Sequence, residues 1–208
     1  SDVAALSSAA AASLTSTQLN ALTSTNLDAL TTAQVSKLTT TQVSNLTSTQ
    51  LNLMETTDLA ALTTTQVVSL TAAQLDGLDA THLAALSSVA SLTSTQLNAM
   101  ASTNLQGLNT TQVASLTTTQ VSNLTTTQLN LLETSDVAAL STGAVASLTS
   151  TQLNALTSTN LQALTTGQNA ALTTTQASNL TSTQLNLMQT SDVAALSSAA
   201  AASLTSTQ

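Results

Sequence analysis

The chain has a single histidine, His82, in the run Asp76-Gly77-Leu78-Asp79-Ala80-Thr81-His82. An imidazole three residues from a carboxylate can move protons or bind a metal, so any search for chemistry starts here. A metal site would need further ligands converging from elsewhere in the chain. Asp79 and His82 also stand where a helix-opening acid and the residue that reaches back to it would stand, and that reading needs no chemistry. The pairs Glu55/Asp58 and Glu133/Asp136 share the same i, i+3 spacing. Acids in a first helical turn favour the macrodipole, which accounts for them without catalysis; calcium bridging between copies is the alternative. Serines are abundant, but one histidine gives no repeated base to activate them. No Gly-rich phosphate loop is present. These residues predict no enzyme and no cofactor.

The elements that would position these groups follow from a strict repeat. Leucine, or methionine in its place, returns every eighth residue from Leu6 through Leu14, Leu22, Leu30, Leu38, Leu46, Met54, Leu62, Leu70 and Leu78 to Leu86. One step of six follows, and the series resumes from Leu92 in eights to Leu204. The octad reads L-T-[ST]-T-Q-[VL]-x-x, and its positions are numbered here from the anchor. A repeat this short builds an array whose length is set by copy number, with each unit contacting its neighbours. Asn45, Asn109, Asn123 and Asn179 lie in N-x-[ST] sequons. In three of them the middle residue is an anchor Leu, so the repeat itself creates the match, and glycosylation is the other reading.

Composition narrows the partners. There is no Phe, Trp or Tyr, so the core must be built from Leu, Val, Met and Ala. One basic side chain, Lys37, stands against nine acids, for a net charge of −8. Nothing can neutralise phosphates or stack on bases, which excludes nucleic acid. Anionic membrane surfaces are disfavoured for the same reason. No apolar run approaches the roughly 18 residues that span a bilayer. The absence of Cys removes disulfides and thiolate metal sites.

Within the octad 38–45, Thr39 and Gln42 form the [ST]-x-x-[EQ] capping box, with Leu38 at N′ and Val43 at N4 as the hydrophobic staple. The box recurs in phase at Thr15/Gln18, Thr47/Gln50, Thr63/Gln66, Thr93/Gln96, Thr117/Gln120, Thr149/Gln152 and Thr181/Gln184. The predicted element is a helix of about one and a half turns per octad. Alone such a helix would not form, because nucleation is too costly at that length, so stacking must supply its stability. The fold expected is all-α, a tight solenoid of very short helices. A β-solenoid is the alternative, since Thr and Val favour strands. Against it, the apolar positions are spaced five and three rather than by twos, and four Gly with no Pro leave tight β-corners without their usual residues.

A second period overlies the first. Residues 92–147 and 148–203 are two copies of a seven-octad unit, and 14–91 is an expanded version with three inserted octads at 62–85. The whole of 1–208 is expected to be one continuous array, a segment of a longer protein. Once per unit, large apolar residues cluster before a small-residue octad, as Leu53-Met54, Leu131-Leu132 and Leu187-Met188. These six are candidate self-association residues; local core adjustment is the plainer explanation.

The L-T-x-x-Q-[VI]-x-x-L cadence, which covers essentially the whole chain, resembles octad arrays of very large bacterial surface or secreted proteins, adhesin-like or filament-forming. The resemblance implies extracellular or cell-surface localisation and a spacer or fibre role. The expected function is a structural segment of a filament, sheath or stalk, its partners other copies of itself, lateral or end to end. The alternative is a Thr-rich surface that binds ice or polysaccharide. Neither reading involves nucleic acid or membrane insertion.

Overall fold

The structure, a computed structural model, describes residues 2–208. Among them every regular element is a short helix and none is a strand. Twenty-four α-helices of four to six residues follow one another, α1 (Ser8–Ser13) to α24 (Ser198–Ala202), with 3₁₀ turns at Asp2–Ala5 and Val89–Ser91. The all-α expectation holds and the β-solenoid is overturned.

Each helix starts and stops for a local reason. In α5 (Thr40–Asn45) the Thr39 hydroxyl accepts from the Gln42 N–H at 3.1 Å, and Gln42 Oε1 accepts from the Thr39 N–H at 2.7 Å. Both orphan donors of the first turn are thereby satisfied. The helix then ends at Leu46, whose backbone is extended (φ −63°, ψ 142°), and a second extended residue opens the next helix. The same two-residue extended step recurs at Leu14-Thr15, Leu70-Thr71 and Leu180-Thr181, whereas Ser88 (φ −113°, ψ 38°) departs from it before the 3₁₀ turn. Among the described residues none has positive φ. This is why four glycines suffice for so many turns.

The chain forms two compact units, 1–108 and 109–208. In the first, helices three apart stack: α2 (Ser16–Asn20) on α5, α4 (Thr32–Val35) on α7 (Thr56–Ala60), α6 (Ser48–Leu51) on α9 (Ala72–Gly77), α7 on α10 (Ala80–Ala85). In the second the same rule pairs α14 (Thr118–Ser122) with α17 (Thr142–Ala146), α17 with α20 (Thr166–Ala170), and α20 with α23 (Thr190–Ala195). Each unit is therefore solenoid-like, with three octads of eight residues per coil. Inside run the anchor at position 1 and the apolar residue at position 6. Leu38, Val43, Leu46 and Leu51 are buried in the first unit, and Leu116, Val121, Leu124 and Leu129 in the second.

Candidate functional site: the clamps between coils

Position 5 is where each coil meets the one before it. Gln66 illustrates the arrangement. Its Oε1 takes the Thr63 N–H at 2.7 Å, which closes the capping box. Its Nε2 points the other way and donates to Val35 O at 2.8 Å and Leu38 O at 2.7 Å, on the preceding coil. Val35 O already accepts the Leu38 N–H at 3.1 Å and takes the amide as a second donor, whereas Leu38 O lies in the corner and is given a donor by the amide. Gln42, Gln74, Gln152, Gln168 and Gln176 repeat the bond pair, always 28 and 31 residues back. These side chains are almost fully buried, and an amide is a side chain that tolerates burial only when its donors and acceptor are used. The capping role is legible from spacing; the backward reach depends on coil length and is not.

A second clamp reaches forward from position 7. Asn154 Nδ2 donates to Asn179 O at 2.7 Å, and its Oδ1 accepts from the Thr181 N–H at 3.0 Å. Asn130 does the same to Ala155 O and the Thr157 N–H. In the first unit Asn52 holds Gly77 O at 2.8 Å and the Asp79 N–H at 3.1 Å. This corrects one expected box. Thr181 caps Gln184 through its hydroxyl, but its own N–H goes to Asn154, so Gln184 Oε1 is left buried without a partner. The recurrent Leu-Asn pair was the signal for this clamp, and only the number of octads per coil gives it meaning.

The step of six between Leu86 and Leu92 shows what the clamps protect. Gln96 reaches Leu70 O at 2.6 Å, now 26 residues back, and Asn104 reaches Leu78 O at 3.0 Å, also 26 back. Two residues are missing, yet anchor still stands over anchor, because the 3₁₀ turn Val89–Ser91 takes the place of a helix.

The candidate chemical groups fall within this scheme. His82 occupies position 5: its N–H donates to Asp79 Oδ1 at 2.9 Å, its Nδ1 lies 2.8 Å from the same oxygen, and its Nε2 lies 3.1 Å from Met54 O. It is the variant helix start that the sequence suggested, and a clamp besides. The His82 N–H holds the Asp79 carboxyl below its usual range, helped by the ring. Asp58 and Asp136 also occupy position 5. Both are buried, and each has one carboxylate oxygen without a partner. Burial raises the Asp58 pKa to about 6, with the charges of Glu55 and then Asp28 adding to it. Burial likewise raises Asp136, against the Glu133 backbone hydrogen bond that lowers it. No group of three or more His, Asp or Glu able to hold a metal exists among the described residues. Three sequon amides, Asn45, Asn123 and Asn179, donate back to carbonyls of their own helices, and Asn109 caps α13 (Thr110–Ala114).

The six candidate association residues separate into two classes. Met54, Leu132 and Met188 are anchors within the core, at most 8% exposed. Leu53 is exposed at 40%, and Leu131 and Leu187 are half-buried. Leu53 borders a shallow groove of about 260 Å³ with Ser24, Thr25 and Asp28. Within the second unit Leu131 and Leu187 are seven octads apart, which is not a whole number of coils, so they stand on different faces. Among the described residues no helix is long and apolar enough to cross a membrane.

A family model described as the ALTTAQ repeat matches residues 51–88, 89–126 and 129–166, together more than half of the chain. Residues 29–34 themselves read Ala-Leu-Thr-Thr-Ala-Gln. In that hexapeptide the Leu is the anchor, the first Thr is the cap and the Gln is the clamp. No curated protein matches the chain.

Proposed function

The chain belongs to the ALTTAQ-repeat family, and from that membership and the clamped coils we propose that it is a structural segment of an extracellular filament, sheath or adhesin stalk. What carries this reading is the clamp. Side-chain amides tie coil to coil through the backbone, backward from position 5 at many octads and forward from position 7 where Asn stands, as in Asn52, Asn130 and Asn154. Such a device resists separation of coils while it caps the helix that carries it. The polar, nearly uncharged exterior supports close packing of copies at any ionic strength. Leu53, Leu131 and Leu187, one per second-order unit, are the recurrent side chains proposed to make lateral contacts, beside the exposed Leu6, Val68 and Val193. Met54, Leu132 and Met188 act from inside, by fixing the coil that presents them.

Sedimentation over a wide concentration range tests the proposal. The native chain should assemble as concentration rises, and the triple variant Leu53→Asn, Leu131→Asn, Leu187→Asn should assemble less. A chain that stays monomeric throughout, or a variant that assembles equally, counts against self-association.

A second reading has its own observation. In the second unit Thr118, Thr142, Thr166 and Thr190 are all exposed, one per coil along a single face. A ladder of evenly repeated hydroxyls suits ice or a polysaccharide through many weak hydrogen bonds. Thermal hysteresis, or retention on a polysaccharide matrix lost when these four become Lys, would promote it over the first.

A further inference from the structure

We propose that one face of the first unit is an acid-tightened joint, in which Asp58 and His82, on consecutive rungs of one column, hold their coils fully only when protonated. The octads opening at Leu30, Met54 and Leu78 stack in that column, through α4, α7 and α10. Their position 5 residues are Gln34, Asp58 and His82. Gln34 is an ordinary clamp, donating to Val3 O and Leu6 O, both at 2.8 Å. Counting the same 28 and 31 residues back from Asp58 gives the carbonyls of Leu30 and Leu27. An ionised carboxylate has nothing to donate to them and sets an anion against their lone pairs.

The Asp side chain is one carbon shorter than Gln and reaches these carbonyls less closely. Asn, which has the same shape, clamps at this position elsewhere: with the same spacing Asn160 reaches Leu132 O at 3.3 Å and Leu129 O at 3.5 Å, longer bonds than those of Gln, and across the shortened coil Asn104 reaches Leu75 O at 2.7 Å and Leu78 O at 3.0 Å. Protonated Asp58 matches Asn in shape and gains one donor. Its Oδ2 is buried and unpartnered, as expected of an atom waiting for a hydrogen. His82 sits between two acceptors, Asp79 Oδ1 at 2.8 Å and Met54 O at 3.1 Å. Both are satisfied only when both ring nitrogens carry a hydrogen; the neutral ring must give up one.

The charges that act on Asp58 are Glu55 at the start of α7 and Asp28 at the end of α3 (Ser24–Asp28); the helices that stack on α7 carry Lys37 just past α4, and Asp79, the N-cap of α10, with His82 within it. Burial first, then Glu55 and Asp28, raise the Asp58 pKa from 3.8 to about 6. With the folded pKa above the unfolded one, the contribution to stability is fully present below about 3.8 and is lost as pH rises through about 6.

Hydrogen exchange on the full chain, expressed as protection factors at about pH 5 and about pH 7.5, tests this. Amides of 54–61 and 78–85 should lose about tenfold or more protection at the higher pH, relative to the Gln-clamped octads 38–53. The variant Asp58→Asn, His82→Gln carries residues that fill this position elsewhere in the chain, and its protection should be level between the two. Level protection in the native chain would overturn the proposal without recourse to any variant. So would an undiminished fall in the double variant.

Discussion

At the scale of one residue, the amide at position 5 does two jobs that a shorter or apolar side chain cannot combine. Gln66→Met keeps its length and loses both ends. The Thr63 N–H and the Leu38 carbonyl would then be stranded, while Val35 O would keep only the Leu38 N–H, at a cost on the order of 2 kcal/mol. Urea unfolding should show a lower midpoint with an unchanged slope. Asn169 is the reverse case. It stands at position 6, where the spine is Val, Leu or Ala, and is 1% exposed. Its Nδ2 makes only long bonds to Leu164 O (3.3 Å) and Thr165 O (3.1 Å), and its Oδ1 has no partner. Asn169→Val should therefore raise stability by about 1–2 kcal/mol, measured by the same unfolding curve. The capping half of position 5 was legible because Thr and Gln are three residues apart on one short helix. The clamping half was not, because it joins residues 28 and 31 apart, and no spacing within an octad contains those numbers.

At the scale of the element, the corner explains which substitutions the helices accept. Since no corner among the described residues needs a positive φ, glycine is required only where backbones crowd. Gly77 is such a place: a Cβ there would overlap the Oγ and Cβ of Ser48 on the coil before, where Asn52 also grips Gly77 O. Gly143 is not, for its added Cβ would meet Thr118 Cγ2 at 3.7 Å, an ordinary contact. Gly77→Ala should cost about 1–3 kcal/mol through displaced packing. Gly143→Ala should stabilise by about 0.5–1 kcal/mol, because a helical residue loses less freedom as Ala. Thermal melts of the two variants should move in opposite directions. Helix existence was legible at almost every octad from repeated caps. Apolar runs such as Leu53-Met54 were ambiguous, because adjacent large residues look alike in sequence, while the coil turns one inward as an anchor and the other out.

At the scale of the whole chain, the octad behaves as the unit of length, and three of them as the unit of repetition. The sequence reveals the first through its anchors and hides the second, since nothing within eight residues states how many make a coil. The stretch 62–85, read from sequence as three inserted octads, is one complete coil. Removing it should place Leu86 over Leu38, where Leu62 stood, and leave Gln96 facing Leu46 O in place of Leu70 O. Clamps, corners and anchors are all conserved by this change, so the deletion variant should keep its helicity per residue and melt within a few degrees of the parent. Deleting 62–73 removes the same kinds of residue but one and a half octads of them. The anchor Leu and the clamping Gln would then fall on each other's places across the cut, stranding the clamps above it, and the variant should lose helicity and melt well below the parent. Equal melting of the two deletions would mean that neither the octad phase nor the coil-to-coil bonds govern the stability of the array.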